Sequence, residues 1–456
     1  MKEIIADVTV IGAGLTGLTT AYLLSRKGLK VKVIDQNAWA GGQIKTFKEE
    51  GFVFESGPNT GVVSYPEITE LFQSLNGECE LENAHESAKL RFIWKGNQFH
   101  LLPSGLTKSI TTPLFTLSDK IRILGEPFRA KGTNPDESVY DLAKRRLGKS
   151  FVDYAVDPFL SGVYAGNPQT LVTRYALPKL YNLEQNYGSF IKGAIAKMKE
   201  PKTDRDKLAT KKVFSCKGGL DYLPLTLANK IGKENVLLNA KEATITPIEQ
   251  GFDTTFDFEN ERISIKSKNV ITTVGGYSIP RLLPFIEEQQ TSSISNLIYA
   301  PVMQVGVGIK NTGSLKFNGF GGLVPSCEKR DVLGILYPSA CFERRAPQDG
   351  ALFSFFIGGR MHADMLNQTD EQIESMIVKD LHAMLKFPQG TTPDMIRIFR
   401  HQQAIPQYEA SSGKRLEAID NIQQQYKGLI LGGNIKGGIG MADRIRQAFQ
   451  LAELIK

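Results

Sequence analysis

With 456 residues, of which 41% are apolar, 23% charged and 9% aromatic, the chain is globular in composition and exceeds the usual size of one hydrophobic core, so two or three domains are expected. A net charge of +7 is mild for this length. With no dense Lys/Arg face it argues against nucleic acid as a partner, while suiting an acidic small substrate or an anionic membrane surface. Four scattered cysteines (Cys79, Cys216, Cys327, Cys341) without a C-x-x-C, and five scattered histidines, give neither a disulfide framework nor metal-ligand spacing.

The first 35 residues organise the rest. An apolar strand (Ile4, Ile5, Val8, Val10, Ile11) runs into Gly12-Ala13-Gly14-Leu15-Thr16-Gly17, then a helix closing at Gly28, a second strand (Val31, Val33, Ile34) and Asp35. In such a unit the first glycine permits the tight turn, the second admits a pyrophosphate to the backbone, and the third lets helix and strand pack. The helix N-terminus attracts the anion. Asp35, 18 residues after Gly17, is spaced to hydrogen-bond a ribose hydroxyl. Dinucleotide binding is the reading.

Met1-Lys2-Glu3 leads straight into the strand, so no signal peptide is expected. No apolar run approaches the roughly 20 residues that span a bilayer. A soluble or peripherally attached protein in a reducing compartment follows, cytoplasmic and at most at the inner face of the membrane.

Next come Ala40-Gly41-Gly42-Gln43 and a strand at 51–55 leading to Gly57-Pro58-Asn59-Thr60, a loop laid against something flat or extended. A short helix is predicted at 67–75, strands at 89–94 and 99–102, and an apolar, basic stretch at 101–129 that reads either as an interfacial pad (Leu114, Phe115, Leu117 with Lys108, Lys120, Arg122) or as interior packing. A helical region follows from 137 to 199, broken by a bend at 157–166, and 202–212 reads as a solvated loop. After Gly218-Gly219 a helix runs to 231, with strands at 236–244 and 263–273. Strands are then expected at 302–309, 319–324, 332–337 and 351–357, a helix at 371–385 and a strand at 395–399. The end repeats strand, glycine turn (Gly432-Gly433-Asn434, Gly437-Gly438-Ile439-Gly440) and helix.

The paired glycines and later Gly-Pro resemble the second flavin fingerprint of the amine-oxidase-type flavoproteins, although Gln43 stands where many members carry arginine and Asp35 replaces the more frequent Glu. Residues 156–166, Leu333-Gly334 to Phe342 with Arg345-Ala346-Pro347, and Gln403-Ala404-Ile405-Pro406-Gln407-Tyr408 are similar to segments of the protoporphyrinogen/coproporphyrinogen oxidases. That resemblance covers essentially the whole chain. It implies an α/β fold with a Rossmann-like FAD-binding domain assembled from 1–85, 213–295 and 400–456, a mixed β-sheet substrate domain (86–100 and 296–399) and a helical, membrane-facing domain (101–212). It implies FAD-dependent oxidation of a porphyrinogen in haem biosynthesis, with oxygen as acceptor and hydrogen peroxide as product. The partners it brings are peripheral membrane contact, hand-off to a chelatase and a homodimer; whether the substrate is proto- or coproporphyrinogen stays open.

For noncovalent FAD the expected contacts are Gly12, Ala13, Gly14, Thr16, Gly17, Asp35, Gln36, Gly42, Gly57, Pro58, Asn59 and Thr60, with Ala243 near the adenine, and Asn434, Ile439, Gly440 and Met441 at the ring end. No side chain is expected to act as a catalyst, because the flavin performs the oxidation. Arg91 matches the family position that pairs with a propionate, and Phe342 the aromatic that stacks on a tetrapyrrole ring. Leu323 and Val324 would be apolar walls, and Asn59 and Arg174 further substrate contacts, with a surface salt bridge the alternative for Arg174. Two other readings compete: another amine-oxidase-type flavoenzyme (amine oxidase or carotene desaturase), and a non-catalytic carrier on the same fold. The tail lacks the aromatic pair usual in amine oxidases, and the intact dinucleotide fingerprint argues against the carrier.

Overall fold

The computed structural model describes residues 2–103 and 111–456. The first sheet runs Val236–Leu238, Val31–Asp35, Lys2–Ile11, Glu261–Thr272, Gly251–Phe258, Lys241–Ile248, with Leu429–Leu431 also paired to Glu261–Thr272. Five of these strands are mutually parallel: Val236–Leu238, Val31–Asp35, Lys2–Ile11, Glu261–Thr272 and Leu429–Leu431. A parallel sheet needs cover on both faces. Helices Leu15–Arg26, Tyr222–Ile231 and Met441–Leu454 bury Val8, Val10, Val33 and Ile271 on one side. Ile279–Leu282, Glu288–Ser295 and Ser412–Gln425 bury Ile11, Ile34, Ile265 and Val270 on the other.

The second sheet, Met395–Pro406, Tyr299–Ile309, Ala351–Gly358, Val332–Leu336, Gly321–Leu323, Arg91–Lys95, Gln98–Leu101, is mixed: only Gly321–Leu323 and Arg91–Lys95 pair in parallel. Helix Asp370–Leu385 packs Ile373, Ile377 and Leu381 against Val305, Val307, Phe353 and Phe355. The opposite side carries the hairpin Thr46–Glu49/Phe52–Glu55. Gly306 and Gly308 make that approach close, since a Cβ on Gly308 would stand 2.7 Å from the Phe52 ring. The α/β class with discontinuous segments is therefore as expected.

Several local expectations change. Strand Gly251–Phe258 and helix Ser412–Gln425 were not predicted. The 236–244 strand is two strands, broken at Asn239–Ala240. The predicted strand at 395–399 extends to Pro406, so 400–406, expected in the cofactor layer, pairs in the second sheet. The break at 157–166 is instead helix Asp157–Val163, continuing from a π-turn at Val152–Val156 that lets Pro158 enter at a helix start; the chain bends only after it. Within the solvated 202–212 stretch lies one helical turn, Asp204–Lys207.

The pad reading divides. Leu114 and Phe115 are buried against Ile93, Phe151 and Leu323, anchoring the segment to the second sheet, whereas Leu117 is 72% exposed. Lys108 lies outside the described residues. Helix Leu117–Leu124, with its Thr116–Asp119 capping box, buries none of its residues, and Leu117, Ile121, Leu124 and Phe128 all face solvent. A buried ion cluster holds this segment, with Arg146 donating to Glu126 and to Glu184. Among the described residues no helix is long and apolar enough to cross a membrane.

Candidate cofactor and substrate site

Register brings the parallel strands to a common carboxyl edge. Ile11 stands opposite Ile34 and Thr272, Thr272 opposite Leu431, and Leu238 opposite Asp35. The loops that follow these strands therefore leave the sheet side by side, which is where open α/β sheets bind ligands.

Thr273 ties the two ends of the chain together. Its hydroxyl donates to the carbonyls of Ile11 (3.1 Å) and Gly12 (3.2 Å). A Cβ on Gly12 would come within 2.7 Å of that hydroxyl, and one on Gly433 within 2.5 Å of the Thr273 carbonyl. Gly12 and Gly433 also have φ of +108° and +81°, which only glycine adopts without strain. Helices Leu15–Arg26 and Met441–Leu454 pack side by side, with the Thr16 hydroxyl donating to the Arg444 carbonyl (3.4 Å) and Lys27 to those of Ala452 and Ile455. Both N-termini, with their free amides and positive dipole ends, open at this edge.

The three glycines of the first turn serve different ends. A Cβ on Gly17 would meet the Gly12 carbonyl oxygen at 1.9 Å, so Gly17 is required by helix packing. A Cβ on Gly14 would meet nothing within 4 Å, so this residue, at the helix N-cap, borders open space on the ligand side. Gly42 packs against it (a Cβ there would lie 3.3 Å from the Gly14 Cα), and the Gly41 amide donates to the Ala13 carbonyl (2.8 Å). Asp35 accepts from the Ala13 amide (2.7 Å) and from Asn37, which holds its carboxylate at the turn. The exposed Gln36 receives Lys241 on its carbonyl, and the half-buried Ala243 follows the left-handed Glu242 at the neighbouring strand bulge. These residues form a cradle that fits a dinucleotide.

The loop 56–60 is fixed from both sides. The Ser56 amide donates to the Lys45 carbonyl (3.0 Å), His401 Nε2 donates to the Ser56 carbonyl (2.6 Å), and a Cβ on Gly57 would strike the Gln43 carbonyl at 2.3 Å. Pro58 and Thr60 flank Asn59 and are half-buried. Asn59 donates to the Gly57 carbonyl (3.0 Å) and accepts from Ser354 (2.8 Å), so its side chain joins this loop to the second sheet. Gln43 donates to the Gln403 carbonyl (3.1 Å), which ties this loop to the second sheet. Beneath the loop Glu55 is buried. Desolvation pushes its pKa up to about 7, although the Thr46 hydroxyl and the Leu220 amide both donate to it.

At the other end Asn434 accepts from Tyr299 (3.2 Å), Gly440 caps the last helix through Asp443, Met441 is buried at the helix start, and Ile439 packs with Tyr408 and Leu160. Among the substrate candidates, Arg91 is exposed, lies 5.3 Å over the Phe320 ring and has no carboxylate in ion-pair range among the described residues. Phe342 is 2% exposed, packed with Phe320, Val213 and Ala88 and covered by Arg345. Leu323 lies against Gly162 and Ile93, but Val324 turns to the opposite face, into the core under helix Asp370–Leu385, so the two do not wall one cleft. Arg174 pairs with Asp136 (2.6 Å) and stacks on Tyr175, the alternative foreseen for it. Thr273, Tyr299 and Arg415 were not foreseen. Thr273 follows one strand and Tyr299 begins another, neither within any motif, and Arg415 comes after Ser411-Ser412-Gly413, which reads as loop.

A predominantly parallel sheet covered on both faces, with glycine turns from both chain ends meeting at its carboxyl edge, defines a nucleotide-binding α/β protein. Residues 15–453 match the family described as flavin containing amine oxidoreductase. Protoporphyrinogen oxidase 1, chloroplastic, of Arabidopsis thaliana is 31% identical over 98% of this chain and 88% of its own. The Homo sapiens protoporphyrinogen oxidase is 27% identical over 98% and 97%. A solved Exiguobacterium sp. 255-15 structure shares the fold (TM-score 0.80, 20% identity, 99% and 98% covered), as does reduced UDP-galactopyranose mutase (0.72, 15%, 98% and 95%). The chain belongs to the flavin-containing amine oxidoreductases, within the group that holds the protoporphyrinogen oxidases, and is a flavin-dependent oxidoreductase.

Proposed function

We propose that this protein binds FAD noncovalently and oxidises a porphyrinogen, protoporphyrinogen or coproporphyrinogen, to the aromatic porphyrin. The names of its full-length relatives support the substrate class. On this chain the observation that carries the reading is Arg91, a solvent-facing guanidinium beside an aromatic ring with no carboxylate partner among the described residues. Such a group suits the propionate of a flat apolar macrocycle, bound bidentately.

The flavin, when bound, accepts hydride from the macrocycle. The open side of Gly14 and the N-terminus of helix Leu15–Arg26 would receive the pyrophosphate, the N-terminus of helix Met441–Leu454 would face the ring end, and Asp35, held by the Ala13 amide, would accept from a ribose hydroxyl. Asn59 keeps the cofactor loop in register with the substrate sheet. Molecular oxygen as final acceptor, hand-off of the product to a chelatase and a homodimeric assembly complete the reading. The exposed row Leu117, Ile121, Leu124 and Phe128, flanked by Arg122 and Arg129, supports peripheral contact with an anionic lipid surface.

The test is aerobic turnover of both porphyrinogens by the purified yellow protein, read by porphyrin fluorescence. Formation of porphyrin and peroxide from either supports the proposal. Bound flavin with no porphyrin formed from either overturns it in favour of another flavoenzyme, and absence of bound flavin in favour of a carrier.

A further inference from the structure

Three cations surround the loop 433–440 with no carboxylate in ion-pair range among the described residues. Arg415 is 1% exposed; its Nε donates to the Ile435 carbonyl (3.0 Å), its Nη2 to the Ser412 hydroxyl (3.2 Å), and its guanidinium lies 5.5 Å over the Tyr408 ring. Arg444 donates to the Gly433, Lys436 and Gly438 carbonyls, while its Nε is buried without a partner. Lys436 is half-buried and its ammonium makes no hydrogen bond within the described chain. Asp443 is occupied by the Gly440 amide (3.1 Å) and the Tyr65 hydroxyl (3.2 Å), and Asp420 acts on Lys436 only from beyond ion-pair distance. Burial holds all three cations below their ordinary pKa values.

Uncompensated cations in a desolvated site are unfavourable, and the loop makes the imbalance directional. Its carbonyls at 433, 435, 436 and 438 are turned toward the two arginines, which leaves the first-turn amides of helix Met441–Leu454 toward the ligand edge. The pyrophosphate belongs to the other turn, at 12–17. An anion that forms here only during turnover fits better. A hydride brings two electrons and one proton to the neutral oxidised ring. A ring seated here would gain one net negative charge on hydride transfer from the substrate, spread over its pyrimidine end.

We infer that Arg415, Lys436 and Arg444 act as a preorganised cationic cluster that stabilises the negative charge on the reduced flavin and so raises the cofactor's reduction potential. The inference rests on the proposed seat of the ring end at residues 434–441. A field already in place stabilises the charged form selectively and needs no reorganisation when the charge appears. The three are tuning residues, acting on the ring through space and through the loop.

The test uses the flavin-loaded protein and sulfite, which adds to the oxidised ring and leaves the same negative charge, so its affinity reads the local field without turnover. Lys436→Met and Arg415→Gln should each weaken sulfite binding about tenfold, and each tenfold corresponds to about 30 mV in a two-electron potential. Arg415→Lys, which keeps the charge, should restore both. Ile439→Trp reports the ring's position, because an indole beside the ring alters its visible absorption. If Ile439→Trp alters the spectrum while the charge variants leave sulfite affinity and potential unchanged, the inference fails and the site stands. If none of the variants changes either readout, the seat of the ring fails with it. Loss of flavin in Arg415→Gln that Arg415→Lys does not repair, with Lys436→Met unchanged, assigns the cluster a purely structural role and overturns the inference.

Discussion

Two glycines three residues apart should respond oppositely to the same methyl group. In Gly17→Ala the new Cβ would lie 1.9 Å from the Gly12 carbonyl oxygen and 2.8 Å from the Thr273 hydroxyl. The first contact is about 1.5 Å inside ordinary van der Waals distance, and both neighbours are fixed by the sheet. Helix and strand must separate, at the upper end of overpacking costs, about 3 kcal/mol. For a chain of 456 residues unfolding entropy is roughly 1 kcal/mol/K, so the flavin-free protein should lose about 3 °C in Tm. In Gly14→Ala the Cβ meets nothing within 4 Å and φ is −78°, so only the poorer N-cap costs stability and the flavin-free Tm should stay within about 1 °C. The same methyl stands where the pyrophosphate must approach, and flavin affinity should fall about 100-fold, or about 2.7 kcal/mol. Scanning fluorimetry of the flavin-free proteins and titration with FAD separate the two effects. Equal destabilisation by both substitutions, or normal flavin binding by Gly14→Ala, would refute the division of roles.

The buried Glu55 makes stability depend on pH. Folded Glu55 keeps its proton to about pH 7, whereas an unfolded one releases it near 4.5, so this contribution is complete below 4.5 and is lost as pH rises through 7, by about 3 kcal/mol at most. Glu55→Gln should flatten that loss between pH 5 and 8 in denaturant melts; an unchanged pH profile would show that the carboxyl is ionised throughout. Arg91→Ala should raise the porphyrinogen KM about 10- to 100-fold with flavin content unchanged, and identical kinetics would remove Arg91 from the site. Replacing Leu117, Ile121 and Leu124 together by Ser should release the protein from anionic vesicles in a flotation assay without altering turnover of detergent-dispersed substrate. Vesicle binding equal to that of the parent would move the lipid contact elsewhere.

The phosphate turn was legible because its requirements are local: a strand, three glycines, a helix and an acid within 35 residues. The carboxyl-terminal turn was legible for the same reason. That the two meet at Thr273 was not, since this contact depends on strand order across more than 250 residues and Thr273 belongs to no motif. The alternation in Gly251–Phe258 is a strand pattern in itself, but acidic and threonine residues dilute it. Helix Ser412–Gln425 begins with Ser-Gly-Lys and carries Gln-Gln-Gln at its end, so it looks like loop until the sheet supplies an apolar face for Ile419 and Ile422. Leu323 and Val324 show the limit of reading substrate walls from sequence. Adjacent residues along an extended chain face opposite ways, and the sequence does not say which side is the cleft.

The most direct test mixes the purified, flavin-loaded protein with protoporphyrinogen or coproporphyrinogen in the absence of oxygen and follows the flavin absorbance near 450 nm. Bleaching of the flavin by one of them, with porphyrin fluorescence rising once air is admitted, is the predicted result. A flavin that stays oxidised in the presence of both substrates would contradict the account.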